Sequence, residues 1–138
     1  MPARFSASIV LYNNDADLLA PAIESTLRTP GLETLYLVDN SDEPRLRSLA
    51  QTSNNVVYDF TGRNIGFGAG HNRAIERSRC AYHAIINPDV EFPPTVIPAL
   101  IELIQNRPEI GLTGPALTSK PGVIEHWWSA PQFSTEQN

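Results

Sequence analysis

The sequence predicts an α/β fold, a mostly parallel sheet with helices on both faces. Three observations predict it. Short apolar runs alternate with stretches of helical period, in the order βαβαβαβ and then αβ. The intervening crossovers are short, which favours parallel neighbours with helices packed on either face. Polar residues concentrate in the breaks that follow the first four strands, and in such a sheet these breaks share one edge, where ligands bind.

Taken in order, residues 4–12 alternate early and then run apolar, giving a first strand. Asp15 or Asp17 can cap a helix over 16–28, with Leu19, Ile23 and Leu27 on one face and Pro21 near its first turn. Leu35–Val38 forms a second strand that ends in Asp39-Asn40-Ser41-Asp42, and Pro44 opens a short helix through Gln51. Val56–Phe60 is a third strand, followed by a glycine-rich loop and a helix over 69–79. Tyr82–Asp89 reads as a short strand closed by an Asn-Pro-Asp turn. Its continuous Ala84-Ile85-Ile86 run suits a central strand covered on both faces, and Pro88 stops the pairing. Val96, Ile97, Leu100, Ile101, Leu103 and Ile104 form the stripe of a helix over 95–106. Residues 110–114 are a weak fifth strand, and 123–128 an edge strand.

The chain has 138 residues, enough for one core without staples. A net charge of −5 argues against a nucleic-acid partner or an anionic membrane surface, while a divalent cation can still bridge acidic protein to a phosphorylated ligand. The single cysteine, Cys80, excludes an internal disulfide and fits a reducing compartment. The early apolar run Ile9-Val10-Leu11 is too short for a signal peptide or a membrane span, so a cytoplasmic location is expected.

Each motif has two readings. Gly66-Phe67-Gly68-Ala69-Gly70-His71 follows a strand and opens a helix, as a dinucleotide fingerprint does, but the third glycine comes one residue early and the turn before it is long. Arg63 can contact a phosphate or simply be solvated. Asp39 can accept the N3–H of a uracil or thymine, or it can cap the next helix, as Asp42 can. Asp89 offers a hard oxygen to Mg²⁺ or Mn²⁺ with Asn87 in support, or the pair makes an Asx turn. His83 reads as a packed strand residue, Cys80 as inert, and His126 beside Trp127 and Trp128 as a group able to reach a metal or an acceptor.

Together, Ser8-Ile9-Val10-Leu11-Tyr12-Asn13, Val38-Asp39-Asn40-Ser41, Arg63-Asn64-Ile65-Gly66-Phe67-Gly68-Ala69-Gly70-His71-Asn72 and Asn87-Pro88-Asp89-Val90 resemble the donor half of a family 2 glycosyltransferase. The most similar subgroup is the rhamnosyltransferase-like one. The resemblance covers residues 5 to about 118, with 119–138 as an extension. It implies a Rossmann-like GT-A fold and inverting transfer of a sugar from a dTDP- or UDP-linked donor to a glycan or lipid-linked acceptor, in cell-surface polysaccharide synthesis at the inner face of the membrane. It implies that Tyr12 and Asn13 line the base pocket, with Asn40 beside them, and that Asp39 holds the pyrimidine. Arg63, Asn64 and Gly66 would face ribose and diphosphate, and Asn72 would support their loop. Asp89 would be the surviving ligand of an Asp-x-Asp motif for Mg²⁺ or Mn²⁺, with Asn87 in place of its first acid. The family's general base lies in a later acidic motif. None of Glu91, Glu102, Glu109, Glu125 and Glu136 sits in one, so no catalytic residue is assigned and nucleotide binding is expected to exceed turnover. The alternatives are a non-catalytic nucleotide- or partner-binding module on the same scaffold and a dinucleotide-binding domain.

Overall fold

The computed structural model describes residues 1–120 and 123–125. Four parallel strands, β1 (Phe5–Leu11), β2 (Leu32–Asp39), β3 (Val56–Phe60) and β4 (Tyr82–Ile86), form one sheet in the order β3-β2-β1-β4. The helices are α1 (Ala16–Leu27), α2 (Phe67–Arg77) and α3 (Val96–Asn106), with a short 3₁₀ helix at Arg47–Gln51.

The period of two in β1 sorts its side chains between two unequal faces. Phe5, Ala7, Ile9 and Leu11 join Leu35, Leu37 and Ile86 in the main core, which α1 closes with Leu19, Ala22 and Ile23 and α3 closes with Ile97 and Ile101. On the opposite face Val10, Tyr36 and Val38 pack against Ala74 of α2, while Ser6 and Ser8 meet polar partners. Asp59 ties α2 to β3 by accepting from Arg73 at 2.5 and 3.0 Å and pairing with Arg77 at 3.1 Å. These guanidiniums hold the Asp59 carboxyl below the ordinary carboxylate range. The parallel sheet with helices on both faces is as the sequence predicts.

Several details differ. β4 lies at the edge of this sheet rather than at its centre, because the crossover through α2 carries the chain back past β2 and β1. Ile86 and Ala84 reach the main core, but Ile85 faces the other way and is 53% exposed, since α2 lies over β1 and β2. Pro21 is the sixth residue of α1, beyond the first turn, and is tolerated on the solvent face. Asp15 supplies the N-cap, its carboxylate accepting from the Asp17 amide at 3.0 Å. The helix after Pro44 is only the 3₁₀ turn, and α2 starts two residues earlier than periodicity suggests. Residues 110–114 form no strand. An antiparallel pair, β5 (Leu117–Lys120) and β6 (Val123–Glu125), follows instead and straddles the expected boundary at 118. The rest of the expected 123–128 strand, and His126, lie outside the described residues.

Gly70 is where α2 approaches the sheet most closely. A Cβ there would lie 2.7 Å from Cγ2 and 3.1 Å from Cγ1 of Val10, a side chain stiff at χ1, whereas a Cβ at Gly68 meets nothing within 4 Å. The same substitution therefore has opposite signs two residues apart. Gly68→Ala gains about 0.5–1 kcal/mol of helix propensity. Gly70→Ala loses about 1 kcal/mol net, because overpacking of about 1–3 kcal/mol outweighs that gain. Urea midpoints of the two variants test the contrast.

Candidate functional site

Because the four strands are parallel, their carboxyl ends share one edge. The chain order reverses between β1 and β4, so the breaks after those strands, Tyr12–Asp15 and Asn87–Asp89, flank the switch point at which open α/β sheets bind ligands. The break after β2 lies one strand away, since Leu11 pairs with Asp39.

Three of the four breaks are bonded to one another. The Asn40 amide N–H donates to the Leu11 carbonyl at 2.8 Å, and the Asn13 N–H donates to Ser41 Oγ at 2.8 Å. The Asn40 side chain donates to the Gly66 carbonyl at 3.0 Å, and the Thr61 N–H donates to the Asp39 carbonyl at 3.0 Å. Asn64 Oδ1 accepts the Gly66 N–H at 2.9 Å, and Gly66 takes φ +92° as the residue before α2, a conformation that favours glycine. Asn13 has φ +52°, uncommon outside glycine and tolerated best by Asn and Asp, a feature that marks turns and ligand clamps.

The side chains at this edge divide into enclosed and open groups. Asp39 is fully buried at 0% exposure. Its Oδ1 accepts the Ser41 amide at 2.9 Å and its Oδ2 accepts the Tyr58 hydroxyl. It is neither a helix cap nor a surface acceptor, and direct contact with a base requires local rearrangement. Burial and the Asp39 carboxylate both raise the Tyr58 hydroxyl pKa, so Tyr58 stays a donor. Asn40 is buried too. Tyr12 (50% exposed), Asn13, Arg63, Asn64 and Gly66 are open to solvent, and Arg63 has no ion-pair partner among the described residues. Asn72 is exposed on α2, and its side chain makes no hydrogen bond among the described residues. The support for the loop expected from it comes instead from Asn40, Asn64 and Thr61, whose hydroxyl lies 2.7–3.1 Å from the Arg63 and Asp39 carbonyls and the Asn40 amide oxygen.

Asn87 and Asp89 are exposed in the turn after β4, on the same edge, with no hydrogen bond to the other three breaks. Among the described residues no three His, Cys, Asp or Glu side chains converge as a metal cage. One free carboxylate nevertheless fits Mg²⁺ or Mn²⁺ of the kind that draws most of its ligands from substrate phosphates and water.

Beneath the edge runs a polar chain that the sequence did not disclose. Ser8 Oγ lies 2.7 Å from His71 Nδ1 and 2.7 Å from His83 Nε2, while Ser6 Oγ lies 2.7 Å from His83 Nδ1 and 2.6 Å from Ser78 Oγ. His71 is 2% exposed, its Nε2 has no hydrogen-bond partner among the described residues, and its ring packs edge-to-face on Phe67. Burial, with His83 nearby, pushes its pKa down to about 4, and burial lowers His83 as well. The available signal was the alternation of serine in β1 opposite a histidine in β4. Cys80 fits its inert reading, with its thiol raised by burial and donating to Glu33 at 3.2 Å.

A parallel sheet with a polar switch point, a glycine-bearing loop and an exposed carboxylate defines an open α/β domain with a candidate ligand edge. The model of glycosyl transferase family 2 matches residues 6–137, and the chain belongs to that family. No curated protein matches the chain. Among solved structures it is similar to S. aureus TarS (TM-score 0.62, 15% identity), with 75% of this chain and 20% of that one covered. A mannosyltransferase from Pyrobaculum calidifontis, in complex with GDP-Man and Mn²⁺, gives TM-score 0.63 at 15% identity, covering 75% and 34%. A CMP:2-keto-3-deoxy-manno-octonic acid synthetase complexed with CTP gives 0.61 at 12%, covering 78% and 50%. The chain thus spans half or less of the length of these structures. They share its GT-A, Rossmann-like fold. Among the described residues no helix is long and apolar enough to cross a membrane.

Proposed function

We propose that this chain is the donor-binding part of a glycosyltransferase that takes a sugar from a UDP- or dTDP-linked donor and passes it, with inversion, to an acceptor hydroxyl of a glycan or lipid-linked glycan. The observation that supports this best is the arrangement at the switch point: the bonded Asn13–Ser41 and Asn40–Gly66 frame, the free Arg63 guanidinium, and the exposed Asp89 carboxylate on one sheet edge. In this reading Tyr12 and Asn13 receive the base, and Asp39 fixes the pocket floor and reaches a pyrimidine N3–H after rearrangement. Arg63, Asn64 and the Gly66 backbone face the diphosphate. Asp89, with Asn87, would hold Mg²⁺ or Mn²⁺, which when bound stabilises the charge that develops on the leaving diphosphate. The rhamnosyltransferase-like subgroup and a role in polysaccharide synthesis belong to the same proposal, as does a donor domain ending near residue 118.

The test is titration of UDP and dTDP with and without Mn²⁺, on the wild type and on Asp89→Ala. We expect Mn²⁺ to tighten binding and Asp89→Ala to remove at least about tenfold of that gain, in line with loss of a charged contact. The melting temperature should hold, because an exposed substitution changes stability by no more than about 0.5 kcal/mol. Metal-enhanced binding that survives Asp89→Ala removes the metal assignment. NADH binding in the absence of either nucleotide favours a dinucleotide site. Nucleotide binding without turnover of a labelled donor favours a binding module.

A further inference from the structure

We infer that Ser8 is a positioning residue: its one hydroxyl, shared between His71 of α2 and His83 of β4, couples the 61–67 loop to the 87–89 turn. The two imidazoles come from separate elements. α2 begins at the end of the glycine loop, and β4 runs directly into the Asn-Pro-Asp turn. Among the described residues the Ser8 hydroxyl is the only hydrogen-bonded link between the N-terminal half of α2 and β4.

A serine hydroxyl carries one proton, so it can hold both rings well only by accepting from one and donating to the other. The chain can run in either sense, because each hydroxyl can donate or accept and each ring can carry its proton on either nitrogen. In one sense Ser78 donates to Ser6, Ser6 to His83 Nδ1, His83 Nε2 to Ser8, and Ser8 to His71 Nδ1. In the reverse sense His71 Nδ1 donates to Ser8, and Ser78 is the final acceptor, where it also accepts the Cys80 N–H at 3.1 Å. In both senses the Ser8 hydroxyl bonds to both rings, and His71 Nε2 has no polar partner among the described residues. Ser6 makes a comparable but different tie, joining β4 to Ser78 at the C-cap of α2, far from the loop. The two serines therefore separate a role in coupling from a role in mere stability.

The experiment compares amide hydrogen exchange in the full chain for wild type, Ser8→Ala, Ser6→Ala and His83→Phe. His83→Phe cuts the tie from the β4 side while keeping ring volume, and it stands in if Ser8→Ala does not fold. We expect Ser8→Ala and His83→Phe to speed exchange about threefold to tenfold at both 66–70 and 89–92, distant in sequence, with Ser6→Ala leaving both near wild type. Loosening at only one of the two segments, or the same response in Ser6→Ala, overturns the coupling. The functional arm rests on the donor-site reading: the factor by which Mn²⁺ tightens UDP binding is expected to fall about threefold to tenfold in Ser8→Ala and to persist in Ser6→Ala. An unchanged factor in Ser8→Ala overturns the functional meaning of the tie. A wild type that binds neither UDP nor dTDP overturns the donor-site reading instead, and the exchange result still decides the tie.

Discussion

Asp39→Ala is expected to lower the unfolding free energy by about 3–4 kcal/mol, the combined cost of two buried donors left without an acceptor and of a small cavity. The donors are the Ser41 amide and the Tyr58 hydroxyl, which close on the two oxygens of a fully enclosed carboxylate. For a domain of this size the loss corresponds to a melting temperature lower by roughly 10 °C. The consequence reaches the site because Ser41 also receives the Asn13 amide, so one carboxylate fixes both the turn after β2 and, through Ser41, the turn after β1. Asp39→Asn separates this scaffolding from ligand contact. The amide oxygen can keep the Ser41 bond while its NH₂ donates to the Tyr58 oxygen, so stability falls by only about 1 kcal/mol. If Asp39 also accepts a base N3–H, Asp39→Asn weakens UDP binding about tenfold or more despite that small change. Equal losses of stability and affinity in the two variants would assign Asp39 to scaffolding alone. Thermal melts and UDP titrations on both variants distinguish the outcomes.

The first four strands and their succession along the chain were legible because each apolar run is bounded by a polar break, and the breaks named the candidate residues. The errors have physical sources. A run such as Ala84-Ile85-Ile86 implies apolar surroundings on both faces only when something covers both. Here α2 crosses β1 and β2, leaving Ile85 exposed, and no local pattern encodes where a crossover helix lands. Residues 110–114 have the composition of a strand but pair with no other segment in the described structure, and strand formation depends on a partner. The site was legible as residues and not as contacts. Asp39 was named for its carboxylate, yet its burial depends on Tyr58, which pairs in register with Leu37 beside it. Asn72 is the loop's support only on the family resemblance, whereas helical geometry turns it to solvent and Asn40 reaches the loop from the turn after β2.

Acid is expected to unfold this protein in a window set by His71. Its folded-state pKa of about 4 lies below the ordinary 6.5, because the ring is buried and neutral against Ser8. Below pH 6.5 the unfolded chain takes up a proton that the folded chain refuses. Stability is therefore level above about pH 6.5, declines as pH falls toward 4, and has lost about 3 kcal/mol from this group by then. His83 is shifted in the same direction and adds to the slope. Asp59 acts elsewhere: its pKa is lowered from 3.8, so its contribution is intact above that value and is lost only at lower pH. Urea midpoints between pH 4.5 and 6.5 isolate the histidines. The wild type is expected to weaken steadily across this range, and His71→Phe, which cannot take a proton and keeps a ring against Phe67, is expected to retain only the shallower slope left by His83. Parallel slopes for the two proteins would show that the proton enters elsewhere. The surroundings explain the size of the loss: a protonated His71 places a charge in a buried site where no described residue pairs with it through a carboxylate. Its ring bonds to Ser8 and packs on Phe67, the charge effect of His83 on β4 is unfavourable to the proton, and Arg73 and Arg77 on its own helix are engaged with Asp59.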